Sequence, residues 1–157
     1  MSEKKLEGAG LRGQVAGKTS LSTVGKAGKG LTYRGYPIEV LSEKAKFEEV
    51  AYLLMYGSLP NKDEYENYSS KLISMRSLPN PILEVLERIP ASAHPMEVMR
   101  TGCSMLGNIE PEGEFSNQQE SADRILATMA SIIVYWYKYS HDCLLYTSPS
   151  PRDGCRS

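Results

Sequence analysis

The sequence predicts a mainly α-helical chain with a small β-hairpin near its start. Three observations carry this. Two short β-prone runs, Thr19–Val24 and Leu31–Tyr36, flank the glycine- and lysine-rich turn Gly25–Gly30. From Pro37 to Asp142 the apolar residues then fall at three- and four-residue steps, the spacing of helices that bury one face. Proline- and glycine-containing breaks divide that stretch into helix-sized pieces.

After the hairpin, Ile38, Leu41, Phe47, Val50, Ala51 and Leu54 mark the first helical stretch. Gly57-Ser-Leu-Pro60 closes it. The next helix opens at Asn61, a suitable N-cap with Glu64 three residues on, and is expected to run to about Arg76. Leu78-Pro-Asn-Pro81 breaks it, and Ile82, Val85, Leu86 and Ile89 predict a short amphipathic helix that Pro90 ends. Pro95 suits a first helical position, with Met96, Met99, Cys103 and Leu106 expected on one face. Beyond the polar loop Ile109–Ser116, the longest helix is expected to bury Ile125, Met129, Ile132, Ile133 and Trp136. No repeat of fixed period is visible.

Three segments follow from this pass. Residues 1–10 are polar, glycine-containing and expected to be flexible, and residues 11–142 carry the helical pattern. Residues 143–157 lose all periodicity, with Pro149 and Pro151 breaking any helix. The string Cys143-Leu-Leu-Tyr-Thr-Ser-Pro-Ser-Pro-Arg-Asp153 is what a transposase-type sequencing adapter encodes, residue for residue, in one frame. It reads as a non-native, adapter-derived tail and is set aside in fold reasoning.

Bulk properties exclude several classes of function. A length of 157 residues with 41% hydrophobic content and mixed charge belongs to a globular protein. The net charge of −1 provides no basic field for a nucleic-acid backbone, and no Lys/Arg run interleaves with aromatics. Nucleic acid is not an expected partner. The densest apolar run, Ile125–Tyr139, is interrupted by Thr128, Ser131 and Lys138, so no membrane span is expected. Met-Ser-Glu-Lys-Lys at the start has neither a signal-peptide core nor a transit-peptide composition, which gives a cytoplasmic expectation. Cys103, Cys143 and Cys155 show no paired spacing and no neighbouring histidines. Neither a disulfide framework nor a metal site is expected, and Cys103 reads as a small buried thiol.

Several residues invite a chemical role and are better explained by structure. Gly13-Gln-Val-Ala-Gly-Lys-Thr19 has three residues between its glycines where a phosphate loop needs four, and it precedes a β-prone run, not a helix. His94, just before a helix-opening proline, reads as a cap rather than a base, because no carboxylate or nucleophile is placed to orient it. His141 and Asp142 are sequence neighbours, so on a helix they point about 100° apart and form no dyad. The aromatic run Tyr135–Tyr139 continues the apolar stripe and reads as core. Lys71 and Arg76 could meet an anion, although solvated surface charge is the commoner role.

Two blocks are far more specific than the composition: Tyr33-Arg-Gly-Tyr-Pro-Ile-Glu-Val-Leu41 and His94-Pro-Met-Glu-Val-Met-Arg-Thr-Gly102. With Thr23-Val-Gly25, Phe47-Glu-Glu-Val-Ala-Tyr-Leu-Leu54 and Gly57-Ser-Leu-Pro60, they resemble the amino-terminal part of citrate synthases in order and spacing across nearly all of residues 11–142. Within that family, Thr23-Val-Gly-Lys26, Pro90–Met96 and Ile133–Ser140 look most like bacterial 2-methylcitrate synthases. The resemblance implies the front of a large helical domain in a homodimeric acyltransferase that takes oxaloacetate and an acyl-CoA as substrates, with no resident cofactor.

The family reaction, as the resemblance implies it, uses an aspartate to remove a proton beside the thioester. One histidine donates to the enolate oxygen, a second assists attack on the ketone, and the thioester is then hydrolysed. The segments Glu-His-x-x-Asn-Ala-Ser, His-Gly-Gly-Ala-Asn and Gly-Phe-Gly-His that carry this chemistry are not in this chain. No catalytic residue is therefore assigned, the substrate-binding residues stay unassigned, and the chain by itself is expected to be inactive. Two alternatives remain open: acetyl-CoA in place of propanoyl-CoA as the substrate of the parent enzyme, and a non-catalytic helical fragment that pairs with intact protomers.

Overall fold

The computed structural model describes residues 17–24 and 30–141. The expected flexible start at 1–10, most of the Gly25–Gly30 turn, part of the Gly13–Thr19 segment, Asp142 and the tail from Cys143 onward lie outside the described residues. Two compact units divide the chain, Met1–Asn61 and Lys62–Ser157.

In the first unit, β1 (Ser22–Thr23), β2 (Thr32–Tyr33) and β3 (Tyr36–Pro37) form an antiparallel sheet in that order. Ser22 pairs with Tyr33, and Tyr33 pairs with Tyr36. The run Leu31–Tyr36, expected as one strand, is thus broken by a two-residue turn. Arg34 and Gly35 both have positive φ, 49° and 91°, as a type I′ hairpin requires. Glycine takes that conformation freely, whereas arginine does so at some cost. Arg34 is held there by its bonds: its backbone N–H donates to Leu21 O at 2.8 Å, and its guanidinium donates to Ser20 Oγ at 2.8 Å and to Leu54 O at 3.0 Å.

Pro37, with φ of −59°, leads directly into α1 (Ile38–Lys44). Ala45 is extended, so the helical stretch that the spacing predicted is two helices, α1 and α2 (Phe47–Tyr56). The Glu49 side chain accepts from the backbone N–H of Lys46 at 2.7 Å and fixes the start of α2. Gly57, at φ of 97°, ends it in the left-handed conformation. Leu41, Ala51 and Leu53 are buried, while Phe47 is 66% exposed despite its place in the predicted stripe.

The second unit contains α3 (Lys62–Ser74), α4 (Asn80–Glu87), α5 (Pro95–Ile109) and α6 (Gln118–Ser140), with a short 3₁₀ turn at Phe115–Asn117. Helix α3 begins directly after Asn61 and tightens at its end, where Arg76 N–H donates to Ile73 O, so its length is close to expectation. The core consists of Ile82, Leu86, Val98, Leu106, Ile132 and Trp136. Burying each of these side chains is worth about 1.5–3 kcal/mol.

Helix α5 departs from its predicted face. Val98, Gly102 and Leu106 are buried, whereas Met96 is 62% exposed. Of the predicted line Met96–Met99–Cys103–Leu106 only Leu106 is buried, and the true face is turned by roughly 80° from that line, at about 100° per residue. Gly102 is the reason: a residue that adds no apolar side chain marks where α6 comes closest. Cys103, expected in the core, is only half-buried, and its thiol is free.

Helix α6 packs against α3, α4 and α5. Ile132 and Trp136 are buried as expected, but Ile125 is 39% exposed. Asp123 and Ala127 are buried as well. Asp123 and Ile132 are nine positions apart, which places them about 180° apart around the helix. The prediction of one buried stripe therefore captured only one of two buried sides. No helix among the described residues is long and apolar enough to cross a membrane.

Candidate functional site

The polar chemistry of the second unit gathers where α3 and α5 meet the first turns of α6. Tyr68 and Lys71 lie three residues apart and so share a face of α3. Asp123 on α6 has no exposure to solvent. A buried carboxylate is costly unless it is both paired and hydrogen-bonded. Both conditions hold: Tyr68 Oη donates to Oδ1 at 2.9 Å, and Lys71 Nζ reaches Oδ2 at 2.6 Å. The Lys71 side chain keeps 39% exposure, so the pair is closed to solvent on the Asp123 side and open to it on the lysine side. Lys71 is thus neither a plain surface charge nor an anion receptor. Its anion is Asp123.

Arg124 follows immediately and points about 100° away. Its Nε and Nη2 grip the Glu110 carboxylate at 2.8 and 2.7 Å, a two-pronged pairing suited to the planar guanidinium. Its Nη1 donates to the carbonyl oxygens of Met75 and Ser77, the latter at 2.9 Å. One side chain thereby ties α6 to the end of α5 and to the α3–α4 connection. The hydrogen bond from Arg124 holds the Glu110 carboxyl below its ordinary range, against a smaller desolvation effect, with charge attraction adding to it. The same bond to Glu110 is the main reason the Arg124 pKa is raised.

Beside this pair lies a cleft of about 650 Å³ whose lining includes Ser77, Cys103, Glu110, Ser121 and Arg124. Each nitrogen of the guanidinium is already bonded to a protein oxygen. Asp123 is closed to solvent and has both oxygens engaged, so it is not placed to take a proton from a substrate.

The other candidates from the sequence are also structural. His94 is the N-cap of α5, where its Nδ1 accepts from Met96 N–H at 3.2 Å and Pro95 takes the next position. An accepting Nδ1 places the ring proton on Nε2. His141 sits at the end of α6, stacked on Tyr137 at 4.2 Å between ring centroids. Trp136 is core and donates from Nε1 to Ile89 O at 3.3 Å, and Tyr135 donates to Glu87 Oε1 at 2.7 Å. Tyr137, by contrast, is 53% exposed. Arg76 is exposed, just past the end of α3.

Sequence reasoning passed over Asp123, Glu110 and Arg124. Asp123 did carry a signal, since Ala127, one helical turn on, extends a second buried line. Glu110 looked like one more charge in a polar loop.

A small antiparallel sheet followed by helices, with the Lys71–Asp123 and Glu110–Arg124 pairs bracing the second unit, defines a mainly α-helical protein. A family profile described as "Citrate synthase, C-terminal domain" matches residues 10–155, and the chain belongs to the citrate synthase family. It is 64% identical over 139 residues to the 2-methylcitrate synthase of Shewanella oneidensis, a match that covers 88% of this chain and 37% of that enzyme. A 2-methylcitrate synthase of Corynebacterium glutamicum is 39% identical over 103 residues, covering 66% of this chain and 27% of its own.

Among solved structures, citrate synthase from Thermotoga maritima superposes with a TM-score of 0.77 at 33% identity, covering 88% of this chain and 36% of that one. Citrate synthase from Thermoplasma acidophilum, solved in a ternary complex with carboxymethyl coenzyme A and oxaloacetate, shares the fold with a TM-score of 0.78 at 21% identity. It covers 90% of this chain and 38% of that one. The matches span between 27% and 38% of the length of these relatives.

Proposed function

We propose that this chain is the front portion of a 2-methylcitrate synthase, which condenses propanoyl-CoA with oxaloacetate and hydrolyses the thioester to release 2-methylcitrate and CoA. The observation that carries this reading is the 64% identity to the Shewanella oneidensis 2-methylcitrate synthase over 88% of the chain. In this reading acyl-CoA is a substrate and no resident cofactor is needed. The enzyme works in the cytoplasm as a homodimer. Apolar side chains left exposed on α5 and α6, Met96 and Val134, support a covering layer from further chain or a second protomer.

The contribution of residues 17–24 and 30–141 to that reaction is scaffolding. His94 is used as a cap, Asp123 is sealed in a polar cluster, and Arg124 is consumed by Glu110 and two carbonyls. The chain by itself is accordingly inactive. The 33% identity to a solved citrate synthase favours a second reading, in which the parent enzyme prefers acetyl-CoA. One methylene in a pocket is worth about 1–3 kcal/mol, so the choice is a matter of degree.

The test is thiol release from propanoyl-CoA and from acetyl-CoA with oxaloacetate, measured on the complete gene product and on this chain alone. A higher kcat/KM for propanoyl-CoA supports the proposal. A preference for acetyl-CoA supports the second reading, and release by this chain above a no-protein control overturns the scaffolding role.

A further inference from the structure

We draw no further inference here: the strongest candidate, the cleft of about 650 Å³ between the end of α3, α5 and α6 that places half-buried Cys103 near the Glu110–Arg124 pair, carries nothing, because the guanidinium nitrogens are already bonded to protein oxygens and nothing in the structure shows what fills or covers it.

Discussion

Gly102 on α5 lies so close to Ile132 on α6 that a Cβ at position 102 would stand 2.6 Å from Ile132 Cγ2. That is well inside van der Waals contact. Ile132 is fully buried and β-branched, so it has little freedom to turn away. Gly102→Ala is expected to destabilise the protein by about 1–3 kcal/mol through overpacking. Urea unfolding of Gly102→Ala alone and combined with Ile132→Val checks this. Ile132→Val keeps Cγ2 and removes only Cδ1, 3.0 Å from the added Cβ, so it should recover a minor part of the loss, and a double variant no more stable than the sum of the two singles predicts would refute the contact.

The Lys71–Asp123 pair makes a second prediction. Removing one member of a buried pair costs about 3–5 kcal/mol when both are sealed, and less here because Lys71 is partly in water. Lys71→Ala is expected to cost about 1–3 kcal/mol, by leaving the carboxylate with fewer partners. Asp123→Asn keeps an acceptor for Tyr68 and should cost less than Asp123→Ala. A double-mutant cycle on Lys71 and Asp123 showing no coupling would count against the pairing.

The Glu110–Arg124 pair sets a dependence on acid. The carboxyl pKa of Glu110 is lower in the folded chain than in the unfolded one, because the hydrogen bond from Arg124 favours the charged form. Its stabilisation is therefore complete above the unfolded value, roughly 4.3, and is lost as pH falls through the depressed folded value. Glu110 retains 38% side-chain exposure, so screening keeps the contribution at or below about 1 kcal/mol. Stability measured from pH 6 to pH 3 should fall less steeply in Glu110→Gln than in the native sequence. Identical slopes would show that this pair contributes nothing.

At the hairpin, two substitutions of one residue separate strain from bonding. Arg34→Gly and Arg34→Ala both lose the guanidinium bonds to Ser20 and Leu54, but alanine keeps the cost of positive φ and glycine does not. Arg34→Ala should be the less stable of the two by about 1 kcal/mol. Thermal unfolding of the two variants decides it, and equal stability would mean that the backbone relaxes out of the turn.

The helix spacing in the sequence located α3, α4, α5 and α6 because their boundaries are chemical: Pro81 and Pro95 open two of them, and His94 caps one. It did not show the break at Ala45, where no proline or glycine stands. It also misjudged which face of α5 is buried, since counting apolar side chains cannot see a glycine chosen for its lack of one. The polar cluster was hidden for a related reason. Asp123 belongs to a buried side of α6 that faces α3, and a search for a single apolar stripe reads a charge there as solvent-facing. His94 was legible because an N-cap depends only on the residues that follow it, whereas Glu110 and Arg124 find each other across 14 residues.

The opposed placement of Asp123 and Ile132 on α6 bears on what chain lengths this layer tolerates. Inserting or deleting one residue between them would twist one end of the helix by about 100° against the other, so the Tyr68–Lys71 contact and the seat against Gly102 could not both survive. The interval from 123 to 132 thus behaves as a fixed spacer. The exposed stretch Pro111–Glu114, ahead of the 3₁₀ turn, is where a change in chain length is best tolerated.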